Sequence, residues 1–505
     1  MHETKLKLLN KSFFHIAIIL LFAYFQLFHK LDYLPIRVWD EGKNAVSAYE
    51  MLQNKHYLVR YYEGKPDETG FKPPLLTWHQ VFFMKLIGIN ELSVRLPSAL
   101  YALLTALLLY YFALRELNLP LVGIITVLVL LTSYGYLDRH IARTGDHDSM
   151  VVFFLTAQAI YFYKYLKYND KRNLYLAVTT LALVFGTLTK GIVGLSFIPG
   201  FILYAAIHRK LKYILLHRQL YWSMLCYVLI ISSYYVYREL HSPGYTSAVW
   251  NHELLPRYTN SAGMYSNLKD YFFYVRNLWD KRQVPWIYVL PFLIGTLFFI
   301  KDENLKTTFR YLLLLGVTYL VIFSLGTKYS WYDAPLFPIL ALITAMGIYQ
   351  WIRYILRLPV SRYIRWGMVV FAGASMIYFP LQSTKELTFD VREKYWVYEE
   401  EGINYVLREY LRQEQSIRNL GIAYSAYHSH IRFYMNLLND TGSRIYFTDY
   451  KKLKPGSRVI ACESPVKEYI EQNYECTFVS KKHHASIYQI ETSANQLSSD
   501  VDKFQ

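Results

Sequence analysis

Apolar residues in this chain arrive in long blocks, near 13–29, 94–114, 119–137, 150–166, 173–189, 191–207, 219–238, 284–300, 309–325, 334–352 and 365–381, each ended by charge. A helix needs about 20 apolar residues to cross the hydrocarbon of a bilayer, so the blocks predict an α-helical polytopic membrane protein with about 11 spans. Composition agrees: 53% of the 505 residues are hydrophobic and 18% are charged, against roughly 25% charged in soluble domains. Disorder, a collagen-like fibre and a disulfide scaffold are excluded. The net charge of +16 does not indicate nucleic acid, because the positive residues sit in short clusters between apolar blocks and form no single basic stripe.

An odd number of spans puts the termini on opposite faces. Lys5, Lys7 and Lys11 precede the first block, and no small-residue cleavage site follows it. The block therefore reads as a retained helix with a cytoplasmic N-terminus. Every second loop should then be rich in Lys and Arg. The clusters Lys164/Lys167/Lys171/Arg172, Arg209/Lys210/Lys212/Arg218 and Arg353/Arg357/Arg362/Arg365 fall where this alternation requires. The loop 239–283, assigned outside, carries Lys281 and Arg282; the positive-inside bias is weak in a loop of that length.

From about 385 onward the chain changes character. Strand-length runs at 420–425, 457–462, 475–480 and 485–491 alternate with helical stretches near 399–413, 427–438 and 464–473, the pattern of a small α/β domain. The expected organisation is a transmembrane domain, 1–384, whose first outside loop (30–93) holds amphipathic helices, and a soluble domain, 385–505, on the outer face. Cys226 lies within a span as an apolar filler. Cys462 and Cys476 flank a predicted helix, and an oxidising outer face would let them pair.

The outside loops hold residues a passive connector would not need. RVWDEGKNAVSAYEML (37–52) places Trp39, Asp40 and Glu41 where the chain leaves the bilayer, ahead of a helix with Ala45, Ala48, Tyr49 and Leu52 on one face; an acidic N-terminal cap explains the carboxylates equally well. In GFKPPLLTW (70–78), two prolines fix the backbone behind Lys72, a fixed ammonium suited to phosphate, against the bland reading of a snorkelling lysine. The third loop packs Asp138, Arg139, His140, Arg143, Asp146, His147 and Asp148 together. Arg143 suits an anion, Asp148 suits a cap or a site, and the oxygens and imidazoles admit a divalent metal. Lys190 in GTLTKGIVGL stands between two apolar spans, where a charge costs roughly 2.5–3.5 kcal/mol on insertion scales and tends to mark a site. GTKYSWYDAPLFP (326–338) adds Lys328, Trp331, Tyr332 and Asp333. Each could be an interface anchor, but all fall on one face.

One carboxylate pair, several cations at bilayer level and an apolar surround fit attack by a hydroxyl on a sugar carbon whose leaving group is a lipid phosphate. Asp40 is the candidate general base, and Lys72, Arg143, Lys190 and Lys328 would stabilise the departing phosphate. Phosphate needs no general acid, whereas a glycoside hydrolase requires a second flanking carboxylate. Single displacement with inversion is the expectation, with no required metal or other cofactor.

The ordered set WDEG, AYEML, FKPPL, NELSVRLPSAL, ART, LTKG and K..WY..P.FP, spread over roughly 30–345, resembles the polytopic GT-C glycosyltransferases, in particular bacterial members of the protein O-mannosyltransferase and aminoarabinose transferase (ArnT-like) family. The resemblance implies a polyprenyl-phosphate sugar donor, a lipid, glycan or protein acceptor of the cell envelope, contact with membrane lipids, and a multi-pass protein of the inner membrane working on its periplasmic face. It implies Asp40 as the catalytic carboxylate with Glu41 beside it, Lys72 on phosphate, and Asp148, Lys190 and Lys328 in a pocket completed by Trp39, Trp331 and Tyr332. Phe71 stands where some relatives carry an acidic residue before Lys-Pro, which disfavours a metal there. The C-terminal domain lies outside the resemblance. The competing reading is a transporter or flippase of lipid-linked glycans. That reading predicts charges through the depth of the spans or paired internal repeats, and the sequence displays neither.

Overall fold

A computed structural model describes residues 2–67, 70–255, 270–391 and 399–493. Among them, seven helices are long and apolar enough to cross a membrane: Glu91–Arg115, Asp148–Lys167, Arg172–Leu195, Arg218–His241, Glu303–Ser324, Leu336–Ile355 and Arg362–Thr388. Four shorter apolar helices, Phe13–Phe28, Pro120–Leu131, Ile198–Ile207 and Trp286–Leu297, occupy the remaining expected blocks. They fall below the roughly 20 residues a perpendicular crossing needs, so length and composition alone support seven of the eleven expected crossings.

Local chemistry sets the boundaries. Asn90 and Ser93 form a reciprocal capping box that starts Glu91–Arg115, and Asp302 caps Glu303–Ser324 through the amides of Asn304 and Leu305. Pro120 opens Pro120–Leu131 at a position where its missing N–H costs nothing. Between spans, where lipid removes the hydrophobic drive, close backbone approach decides packing. A Cβ on Gly194 would lie 2.3 Å from the carbonyl carbon of Gly186. The turn Gly191–Leu195 thus folds flat onto the end of its own helix, and Lys190 stands at the apex.

Between the first span and Glu91–Arg115 lie two amphipathic helices, α1 (Asp40–Asn54) and α2 (Leu75–Ile87), as the first loop predicted. The C-terminal region forms a five-stranded sheet of β1 (Leu420–Ala423), β2 (Ile445–Thr448), β3 (Arg458–Ala461), β4 (Tyr474–Lys482) and β5 (Ala485–Ser493), in the order β2-β1-β3-β5-β4. Strand β1 is parallel to β2 and β3, and β5 runs antiparallel to β3 and β4. Helices α3 (Gly402–Arg412), α4 (Ser429–Asp440) and α5 (Ser464–Asn473) complete it. Strand β2 was not foreseen: Ile445–Thr448 is four residues long, with only its first residue buried.

Two features depart from expectation. The change of character at 385 does not divide the cores. Ile36, Val46 and Met51 of the first loop pack with Ile403, Leu407, Ile422 and Phe433 of the C-terminal region in one cluster, each buried aliphatic side chain contributing about 1.5–3 kcal/mol. The cysteine pairing is absent: Cys226, Cys462 and Cys476 are all free. Cys462 follows β3 and Cys476 lies on β4, with β5 between these strands. Two strand spacings of about 4.8 Å exceed the roughly 7 Å between Cα atoms that a disulfide tolerates.

Candidate active site

A strained residue precedes helix α1. Trp39 has φ 72°, a left-handed conformation that costs on the order of 1–3 kcal/mol in a non-glycine residue. The kink turns its indole outward, 59% exposed, and stacks it at 5.2 Å and 12° on Tyr427 of the C-terminal region. It also starts the helix so that Asp40 and Glu41 meet different partners.

Glu41 is a structural anchor. Its carboxylate, 2% exposed, takes a two-pronged contact from Arg95, Nε to Oε1 at 2.7 Å and Nη2 to Oε2 at 3.0 Å, and accepts the backbone N–H groups of Arg37 at 2.8 Å and Gly145 at 2.9 Å. Arg95 spends its remaining hydrogens on the carbonyls of Leu31, Leu34 and Pro35. Burial alone would raise the Glu41 carboxyl, but Arg95 and the donated N–H groups hold it below the usual range. With every lone pair committed, Glu41 joins α1 to the loop 138–147 and positions Asp40 rather than facing a reactant.

Asp40 keeps a side-chain exposure of 39% and lies 3.2 Å from Lys72 Nζ. The ring of His140 approaches at 3.8 Å, and its Nδ1 is also 3.5 Å from the Asp146 carboxylate. His140 too is left-handed, φ 69°, and its ring stacks on Trp331 at 3.9 Å. Burial would raise the Asp40 carboxyl. The charges of Lys72, His140, Lys190 and His147 outweigh it and hold that carboxyl far below the usual range. Burial would likewise lower the Lys72 ammonium, but Asp40, Glu253, Asp148 and Asp146 raise it. Asp146 is the opposite case: burial first, then the nearby charges of Asp40 and Glu41, push it well above the carboxylate range. His140 is lowered to about 4, chiefly by burial. The negative charge is thus favoured on Asp40, beside an imidazole that is neutral at pH 7, while Asp146 holds a proton more readily than an ordinary carboxyl.

The second cation arrives from the far side. Lys190 Nζ contacts Asp148 Oδ1 at 2.5 Å and lies 5.2 Å from the Tyr332 ring centre. Tyr332 closes one end of an apolar groove of about 350 Å³ whose walls include Ile192, Ile198, Pro199, Ile322 and Phe323. The groove lies between the Ile198–Ile207 and Glu303–Ser324 helices, and the Tyr332 ring in its wall is the one that meets the Lys190 ammonium.

Of the expected site residues, the structure brings together Asp40, Lys72, Asp148, Lys190, Trp331 and Tyr332, with Trp39 at the rim. Two cations make main-chain contacts. Arg143 donates Nη1 to the Gln26 carbonyl at 2.8 Å and Nη2 to that of His29 at 2.7 Å, tying its loop to the end of the first helix behind the Glu41–Arg95 pair. Lys328 donates to the Gly326 carbonyl at 2.9 Å, and neither it nor Arg143 is among the main charges acting on Asp40. Asp333 makes a buried two-pronged pair with Arg282, Nε to Oδ2 and Nη2 to Oδ1 both at 2.8 Å. That pair accounts for Arg282, which the loop-charge bias did not explain.

Sequence reasoning left His140 and Asp146 as metal candidates only. One ligand atom each from Asp40, His140 and Asp146 lies within 4.8 Å of the others, a set of the kind that holds a divalent cation. Tyr427 and Arg95 were missed; they reach the site only through tertiary packing, and no local signal marks them.

Comparisons with known proteins bear on this arrangement. A family described as dolichyl-phosphate-mannose-protein mannosyltransferase matches residues 71–237. An undecaprenyl phosphate-alpha-4-amino-4-deoxy-L-arabinose arabinosyl transferase of Aeromonas salmonicida is 26% identical over 334 residues, covering 64% of this chain and 58% of the relative. The aligned part thus spans about six tenths of the length of such curated relatives. Among solved structures, ArnT from Cupriavidus metallidurans bound to undecaprenyl phosphate superposes with a TM-score of 0.70 at 15% identity, over 95% of this chain and 98% of that one. The archaeal oligosaccharyltransferase AglB from Archaeoglobus fulgidus, solved with an inhibitory peptide and a dolichol-phosphate, gives 0.51 at 11% identity, over 96% and 75%.

Proposed function

Because the chain has the GT-C fold of the ArnT and protein-mannosyltransferase type, we propose that it is an integral membrane glycosyltransferase moving a sugar from a polyprenyl-phosphate donor to a cell-envelope acceptor. The observation that carries this reading is the junction of two unlike surfaces. An apolar groove is lined by Tyr332, whose ring meets Lys190, and a reachable carboxylate, Asp40, stands within the field of that same lysine. A polyprenyl chain suits the groove, its phosphate the ammonium, and the anomeric carbon the space facing Asp40.

The chemistry is single displacement. An acceptor hydroxyl oxygen bonds to the anomeric carbon, the bond from that carbon to the phosphate oxygen breaks, and the hydroxyl proton passes to an Asp40 carboxylate oxygen. The configuration inverts. Lys190 and Lys72 offset the charge gathering on the phosphate. Asp40 paired with Lys72 is a weak base, so the resting pair is a holding state. Donor phosphate draws Lys72 away, the Asp40 carboxyl rises toward the ordinary range, and the base becomes effective only with donor in place.

No metal is needed where two ammonium groups serve the phosphate. The alternative supply is a divalent cation held by Asp40, His140 and Asp146, which would act as a Lewis acid on the phosphate; loss of transfer on chelation and its return with Mn²⁺ would favour that version. The working face is periplasmic, with the N-terminus cytoplasmic and the protein in the inner membrane. The acceptor, whether lipid, glycan or protein, enters past Trp39 and Tyr427, where the C-terminal region meets the site.

Purified protein, a panel of polyprenyl-phosphate sugars and a mixture of envelope acceptors test the assignment. Asp40→Asn should cut transfer by about 10²–10⁴-fold, the usual contribution of a positioned base. Equal transfer by the variant would overturn the role of Asp40. Failure of both proteins over a broad donor panel would move the reading to transport.

A further inference from the structure

The last long helix, Arg362–Thr388, is held to the bundle unevenly. Its buried residues are Pro380, Thr384, Leu387 and Thr388, all in the third nearest the candidate active site. There Glu386 accepts a hydrogen bond from Tyr134 at 2.9 Å, and Thr384 reaches Gln26. At the opposite end Arg365 Nη1 donates to the Leu356 carbonyl at 3.1 Å, closing the short turn from the Leu336–Ile355 helix. Between these ends the helix stands away from its neighbours. A groove of about 860 Å³ opens against Leu336–Ile355 and Trp286–Leu297, with Trp286 and Phe379 at the site end and Tyr354, Leu358 and Met368 at the other.

Size and charge specify an occupant. At roughly 30 Å³ per small group, the share of one molecule in liquid water, the volume of about 860 Å³ holds about 29 groups of methylene size, room for most of the two acyl chains of a phospholipid but not for the whole molecule. Close in sequence to the lining residues Tyr354, Leu358 and Met368 of the far end, the chain carries Arg353, Arg357, Arg362 and Arg365, and no Asp or Glu occurs between Asp333 and Glu386. None of the four arginines has a carboxylate partner among the described residues: Arg353 lies over the Tyr349 ring, and Arg365 contacts a carbonyl. Loop arginines that only orient a helix hairpin need no cavity beside them. Here the cationic end coincides with a deep apolar slot, the form of basic pockets between transmembrane helices that hold anionic lipid headgroups.

We propose that the groove between Arg362–Thr388, Leu336–Ile355 and Trp286–Leu297 is a specific site for one anionic diacyl phospholipid from the leaflet opposite the active site, its phosphate held by the Arg357/Arg362 end. The site is separate from the donor groove at Lys190. It would fasten the helix that contacts Gln26 at the end of the first helix through Thr384, and Tyr134, in the segment just before His140, through Glu386.

Native mass spectrometry of the full-length protein, stripped of lipid and titrated in turn with phosphatidylglycerol and phosphatidylcholine, tests this without any transfer assay. One phosphatidylglycerol should bind with a clear preference over phosphatidylcholine. Each arginine near an anionic headgroup is worth about fivefold in affinity, so Arg357→Gln with Arg362→Gln should cost about 25-fold for phosphatidylglycerol and little for phosphatidylcholine. Ala372→Leu with Ser375→Leu, which fills the groove and leaves the charges in place, should abolish the tight site while wild-type melting in phosphatidylcholine is retained. Equal affinity for both lipids, or a preference that survives both double variants, would overturn the proposal. So would preferential binding of a polyprenyl phosphate at this site, or a stable dimer that covers the groove.

Discussion

Gly42 lies one turn into α1, beside the carboxylates, and its substitution separates two views of the C-terminal region. Intrinsic helix propensity favours Gly42→Ala, because alanine is better than glycine in a helix interior by about 1 kcal/mol. The structure predicts the opposite sign. A Cβ at Gly42 would lie 2.6 Å from both the His430 backbone nitrogen and Ser429 Oγ, and 2.9 Å from the His430 Cα. Two of these atoms belong to the α4 backbone and cannot swing aside. Restoring ordinary contact near 3.4 Å means moving α1 against α4 by about 0.8 Å. Overpacking of that kind costs typically 1–3 kcal/mol. A displacement near 1 Å of a catalytic group costs on the order of 10²-fold in rate, and Asp40 is two residues away on the same turn. Thermal melting of the purified protein should fall, and transfer should drop by one to two orders of magnitude with the donor KM changed less than kcat. Raised melting with full transfer would refute the idea that the sheet domain presses directly on the helix bearing the base.

Lys72 and Arg143, alike as candidates by sequence, should part in the assay. Lys72→Gln is expected to raise the donor KM and lower melting only slightly, because a partly exposed ion pair contributes little stability. Arg143→Gln is expected to lower melting with the donor KM unchanged, since it frees two carbonyls at the end of the first helix. His430 gives a pH signature. Burial lowers its imidazole to about 4 from an ordinary 6.5, and it donates Nε2–H to the Glu400 carbonyl at 3.0 Å. The folded state holds it neutral while the unfolded chain protonates below 6.5, so stability is full above 6.5 and is lost as pH falls toward 4. At 1.36 kcal/mol per unit this amounts to about 3 kcal/mol. Melting followed from pH 7.5 to 4.5 should show a shallower decline in His430→Gln, and parallel curves would refute it.

Asp40, Lys72 and Lys190 were legible in the sequence because a charge at bilayer depth is costly enough to need a reason, and the reason is visible without the fold. Arg143 obeyed the same rule and misled, because the cost can also be met by main-chain carbonyls, and those of Gln26 and His29 arrive from more than 110 residues away in sequence. Glu41 shows the limit from the other side. Adjacent to the base, it looked like half of a catalytic pair, yet Arg95 binds it by a fork that only the meeting of α1 with the Glu91–Arg115 helix creates. Local pattern therefore finds charges that need partners, while tertiary contact decides whether the partner is the protein or a substrate. By that criterion Asp40 is the outlier of the set. Its partner, Lys72, is a single ammonium that a phosphate can take, and its carboxylate stays 39% exposed, whereas Glu41 and Asp333 are paired with guanidinium forks and sealed. A carboxylate whose neutralisation is that easily reversed is the one suited to change protonation during a reaction.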